Sequence, residues 1–143
     1  MKPEIKAAWV AALRSGEYEQ GDGNLQKEGK FCCLGVLCEI AVKQFDLDID
    51  VRAEGLYSED DSTVVTLYNE QSAFLPSAVQ DWAGMDDNGG YFDQPVHVLD
   101  GEIVTPTPAM WGQYGPTEVR TLYLLNDGGV SFDAIANVIE EKF

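Results

Sequence analysis

The feature that most constrains this chain is the segment Phe31-Cys-Cys-Leu-Gly-Val-Leu-Cys-Glu-Ile-Ala-Val-Lys-Gln-Phe45. It is too long for one strand and apolar nearly all round, which marks a helix buried in the core rather than one lying on a surface. Gly35 in its interior costs about 1 kcal/mol of helix stability. Such a residue is kept where another element must come close. Any fold available to this chain has to wrap this helix.

The remaining segments supply the wrapping. Pro3 suits a first helical turn, and Ile5, Ala8, Trp9, Ala12 and Leu13 then share one helical face. Gly16 ends that helix, and residues 19–30 read as a polar loop. Thr63 to Tyr68 is the clearest strand. Leu75-Pro76 opens a short helix with Ala78, Val79, Trp82 and Ala83 on its apolar face and Gly84 at its end. Val96 to Val104 reads as a hairpin around Asp100-Gly101, the dipeptide favoured in two-residue turns. Thr105 to Gly115 is loop. The C-terminal stretch reads as a helical hairpin: Pro116-Thr117 starts one helix, with Val119, Leu122 and Tyr123 inward. Asn126 to Gly129 breaks it and Ser131 caps the next. The expected fold is α+β: a single compact domain, residues 1–143, with about five helices packed with a small antiparallel sheet or hairpin.

Charge divides the chain. Of the formal −16, none falls in residues 1–43, which hold six bases and six acids. Between Arg52 and Arg120 there are twelve acids and no Lys or Arg. Binding nucleic acid by neutralising phosphates is thereby excluded. The same balance suits a cationic protein partner. Candidate contact residues are Glu54, Glu59, Asp60, Asp61, Asp86, Asp87, Asp93 and Asp100. The C-terminal helical pair carries too few bases to read DNA.

The three cysteines, Cys32, Cys33 and Cys38, are odd in number and tightly clustered. That argues against a secreted disulfide framework and for a reducing cytoplasm. Zinc sites use four ligands in separated pairs, which this spacing does not provide. The Asp86-Asp87-Asn88 loop lacks a calcium-binding alternation. No cofactor and no metal is expected. The longest apolar run, Phe31 to Cys38, is far short of a membrane span. One enzymatic arrangement is conceivable: Cys33 near a helix start as nucleophile and His97 on a strand as base, in the order of papain-like or cell-wall peptidases.

Four segments carry a resemblance. They are Trp9 with Ala12-Leu13-Arg14-Ser15-Gly16, Phe31 to Cys38, Leu75-Pro76 through Trp82-Ala83-Gly84, and Leu125 to Ala136 with Ile139-Glu140. Together they resemble a family of small, largely uncharacterised acidic proteins of phages, prophages and bacteria. The resemblance spans the chain but is absent over 46–74 and 88–115, and a histidine at the position of His97 is not part of it. It implies an accessory protein working in a host cytoplasm and carries no reaction with it.

The leading expectation is therefore a non-enzymatic binding or inhibitor protein, in a counter-defence role, that blocks a cationic nucleic-acid-binding host protein. A variant sequesters a nucleotide signal. It would gather Arg14, Lys27, Lys30, Arg52 and Arg120 around phosphates and stack a base on Tyr18 or Trp111, and a homo-oligomer is one way to build such a pocket. The Cys33/His97 thiol hydrolase is the alternative from another class.

Overall fold

The helix α2 (Cys33–Lys43) sits where its composition demands, with its first six residues, Cys33 to Cys38, all buried. The computed structural model describes residues 1–58 and 61–143, and the side chains of all but residues 56–62. Cys32 caps α2: its backbone is extended and its sulfur accepts the Gly35 N–H at 3.4 Å. Leu25, itself fully buried, lies across the first turn and its carbonyl accepts the Cys32 N–H at 3.2 Å. A Cβ on Gly35 would stand 1.7 Å from that carbonyl oxygen. The close approach expected of Gly35 is thus met by the backbone of a loop.

Helix α1 (Pro3–Arg14) packs against α2, and α5 (Phe132–Lys142) packs in turn against α1. In α1, Trp9 is fully buried and its indole N–H donates to the Cys33 carbonyl at 2.9 Å. In α5, Ser131 caps the first turn through Ala134 N–H, and Phe132, Ile135, Ala136 and Ile139 are buried. The short helix α3 (Ser77–Ala83) follows Pro76 and ends at Gly84, whose left-handed backbone (φ 73°) suits glycine.

The strands form two antiparallel sheets rather than the one expected. The first has the order β2-β1-β4-β3, from β1 (Gln26–Lys27), β2 (Lys30–Phe31), β3 (Val51–Ser58) and β4 (Asp61–Tyr68). The segment read as a polar loop therefore carries a small ribbon, turned by Glu28 and Gly29 at positive φ and anchored by buried Leu25 and Phe31. The second sheet has the order β6-β5-β7, from β5 (Tyr91–Leu99), β6 (Glu102–Val104) and β7 (Thr117–Thr121). Its hairpin turns at Asp100-Gly101, as expected.

The stretch after Pro116 departs from expectation. Thr117 to Thr121 is strand β7, and helix α4 is only Leu122–Asp127. The sequence Thr-Glu-Val-Arg-Thr alternates β-branched and charged residues, and pairing with β5 satisfies its backbone. Among the described residues, no helix is long and apolar enough to cross a membrane.

Candidate functional site

The cysteines enter the fold as core residues. Cys33 is fully buried and its thiol donates to the Leu122 carbonyl at 3.6 Å. Burial pushes the Cys33 and Cys38 thiols well above the usual range and the Cys32 thiol up to about 11. A nucleophilic cysteine needs the opposite shift. His97 lies on β5, where its ring meets Trp111 edge-on at 5.9 Å. No hydrogen bond joins Cys33 to His97 among the described residues. Iodoacetamide at pH 8 is accordingly expected to leave folded protein unmodified for the time in which urea-unfolded protein loses all three free thiols. Equal labelling rates in the two states would overturn this placement.

The candidate nucleotide-binding residues do not form one pocket. Arg14 ends α1 and is held by Glu140 and by Asn137 Oδ1 at 2.6 Å. Lys27 and Lys30 face each other across the β1–β2 ribbon, with Lys30 3.7 Å from Glu19. Arg52 lies on β3 at the other edge of that sheet and bonds Glu70 at 2.6 Å. Arg120 lies in the second sheet, 2.9 Å from Glu118. Tyr18 is turned edge-on to Phe31, 5.2 Å away. Trp111 is 56% exposed but stands beside His97. Each arginine already holds a carboxylate, so phosphates would have to displace it. These ion pairs are exposed and add little stability; their consequence is local neutralisation.

The acidic candidates fall into four places. Glu59 and Asp60, and the side chain of Asp61, lie outside the described residues. Glu54 is exposed on β3, 4.0 Å from Arg52. Asp100 stands exposed in the β5–β6 turn. Only Asp86, Asp87 and Asp93 come together, lining a groove of about 210 Å³ with Tyr91, Phe92 and Lys142.

That groove is built by a turn. Asp87 Oδ1 accepts the backbone N–H groups of Gly89, Gly90 and Tyr91 at 3.0, 2.7 and 3.1 Å. Its carboxylate fixes the loop and starts β5. Asp86 and Asp93 are exposed on either side, and Tyr91 is 48% exposed. Two solvent-facing carboxylates beside an aromatic face suit a guanidinium or ammonium group, by charge-assisted hydrogen bonding and by cation–π contact. Lys142, which lines the groove, is 3.4 Å from Glu141, and Arg120, paired with Glu118, donates to the Asp93 carbonyl beside it.

Further acids went unnoticed in the sequence. Asp46, Asp48 and Asp50 are exposed, alternating with Leu47 and Ile49, which pack against the core. The signal was the strict alternation Asp-Leu-Asp-Ile-Asp. A buried polar residue was missed too: Asn126, 2% exposed, bonds Gln20, Gly21 and Cys33.

Comparison with known proteins gives a family and no activity. A family model described as a domain of unknown function (DUF8296) matches residues 1–143. No curated protein matches the chain. No solved structure matches it.

Proposed function

The chain belongs to the DUF8296 family, and from that premise we propose that it is a non-enzymatic binding protein whose acidic surface occupies the basic, nucleic-acid-binding surface of a protein partner. The observation that carries this reading is the groove of Asp86, Asp93 and Tyr91, where carboxylates and an aromatic ring converge and the two neighbouring bases, Lys142 and Arg120, are each paired with a glutamate. Lys and Arg side chains that would otherwise grip phosphate are what such a groove accepts. The net charge of −16 supplies long-range attraction. The resemblance to phage proteins supports a partner in a host cytoplasm and a counter-defence role. The other readings draw less support: the bases are dispersed, with Arg14, Lys30, Arg52 and Arg120 each beside a carboxylate, and Cys33 is buried with its thiol pushed well above the usual range.

A fluorescein-labelled Arg-rich peptide tests the reading. Its affinity for the full chain is expected to fall about tenfold between about 50 and 300 mM salt, as exposed charges are screened. Replacing Asp86 and Asp93 together by Asn should weaken binding about fivefold or more. Glu4→Gln, on the first turn of α1, serves as the control and should leave it unchanged. Equal binding by the double variant and wild type would refute the groove as the anchor. Binding insensitive to salt would refute the electrostatic reading altogether.

A further inference from the structure

We propose that β3 is a self-pairing edge: two copies of the chain dock antiparallel along β3, about a two-fold axis through Ala53, and join their sheets into one of eight strands. The inference is independent of the acidic groove, which belongs to the other sheet.

The backbone shows which groups are open. β3 ends its sheet, with β4 on one side and no strand on the other among the described residues. Asn69 N–H donates to the Asp50 carbonyl at 2.7 Å, so Asp50 aims its backbone at β4. In an antiparallel ladder alternate residues aim the same way. Arg52 and Glu54 therefore bond β4, while Val51, Ala53 and Gly55 present N–H and C=O outward. The far side of β4 agrees, since the Val64 carbonyl accepts Glu28 N–H from the β1 side at 2.9 Å. Proteins normally blunt so long an open edge, because it is a template for another strand.

The side chains select one register. With the axis through Ala53, the two Ala53 residues form a hydrogen-bonded pair. Val51 of each copy bonds Gly55 of the other. Arg52 then stands opposite Glu54 of the second copy, and Glu54 opposite its Arg52. These are non-hydrogen-bonded positions, where facing side chains come closest. Sliding by two residues in one direction sets Arg52 against Arg52. Sliding in the other sets Glu54 against Glu54. Of these three registers, the axis at Ala53 alone pairs opposite charges twice. Arg52 already bonds Glu70 at 2.6 Å, but a guanidinium carries five N–H donors and can serve both carboxylates.

Exposed apolar surface agrees with the same register. Val51 and Val64 are 42% and 44% exposed. Val51, Ala53 and Gly55 share one face of the strand, and Val64 stands opposite Gly55. Pairing at Ala53 sets Val51 of each copy beside Gly55 of the other, which has no side chain to obstruct it, and next to that copy's Val64. Both valines are thereby covered. The net charge of −16 on each copy opposes association, but at physiological salt charges beyond roughly 8 Å are screened.

Sedimentation equilibrium of the full chain at about 0.15 M salt tests the proposal. The mass should rise from one chain to two as concentration increases to about 100 μM. Arg52→Glu and Glu54→Arg, each alone, should weaken the dimer about tenfold or more by setting like charges face to face. Both substitutions in one chain should restore it, and so should mixing the two single variants, whose edges are mutually opposite. That rescue separates broken pairing from broken folding. Ala53→Pro removes an outward N–H that the β3–β4 ladder does not use, a place where an edge strand tolerates proline, and it should abolish the dimer. A chain that stays monomeric throughout overturns the proposal. So does a dimer unmoved by Arg52→Glu, Glu54→Arg and Ala53→Pro, which would have formed through another face.

Discussion

Gly35→Ala is expected to destabilise the protein by about 4 kcal/mol or more, which is exceptional for adding a single methyl group. At an exposed helix position the same change would stabilise by about 1 kcal/mol, because alanine loses less conformational entropy than glycine. Here the sign reverses. The new Cβ would meet the Leu25 oxygen at 1.7 Å, its carbonyl carbon at 2.5 Å and its Cα at 3.0 Å. All three are backbone atoms, so no side chain can swing away. Leu25 cannot easily retreat either: its N–H donates to the Ser72 carbonyl at 2.6 Å, its carbonyl holds the Cys32 N–H, and its side chain is fully buried. α2 is enclosed on its own account. In a domain of this size the loss lowers the midpoint of thermal unfolding by about 10 °C or more. Circular dichroism during heating reads it directly, and an unchanged midpoint would mean that Leu25 does not cross α2 where the structure places it.

Gly35 also shows what kind of information a sequence yields. Its significance was legible because the conflict is local: a helix-weakening residue inside an otherwise strong buried helix. The turn at Asp100-Gly101 and the cap at Ser131 were legible for the same reason, as each is written in two to four neighbouring residues. β7 was not. Val119, Leu122 and Tyr123 have helical spacing, and Pro116 is a plausible helix start. What makes Thr117 to Thr121 a strand is β5, about twenty residues earlier in sequence, whose backbone groups it satisfies. The candidate site divides in the same way. Asp86, Asp87 and Asp93 could be recognised as acids close in sequence. That Asp87 spends its carboxylate on three backbone N–H groups depends on how the loop turns into β5. The arginines read as available cations until the fold set Glu140, Glu70 and Glu118 beside them. Self-pairing along β3 depends on which residues face outward, and that became visible only with the register of β3 on β4.

Asn126→Ala is expected to cost about 3–5 kcal/mol, because it orphans several buried partners at roughly 1–3 kcal/mol each. Asn126 Oδ1 accepts Cys33 N–H at 3.1 Å and Gln20 Nε2 at 3.1 Å, while its Nδ2 donates to the Gly21 carbonyl at 2.7 Å. Cys33 N–H is one of the groups at the start of α2 that has no partner within the helix. Gln20 in turn donates to the Val130 carbonyl at 2.8 Å and accepts Phe132 N–H at 3.2 Å. One amide therefore ties the loop before β1 to the starts of α2 and α5. Asn126→Asp separates its donor and acceptor roles. An ionised carboxylate keeps the acceptor, loses the Gly21 bond and is buried. Burial raises the folded pKa of the introduced carboxyl above its unfolded value of about 3.9. Protonation restores a donor that can reach the Gly21 carbonyl. A group with a raised folded pKa contributes fully below its unfolded pKa and loses that contribution as pH rises through the folded value. The deficit of Asn126→Asp relative to wild type should therefore be smallest near pH 4 and widen toward pH 7. That of Asn126→Ala, which introduces nothing that titrates, should stay flat. Urea unfolding of the three proteins at both pH values reads the difference. Parallel deficits would mean that the introduced carboxyl has the same pKa folded and unfolded, and so does not sit in the buried site that Asn126 fills between Gly21 and Cys33.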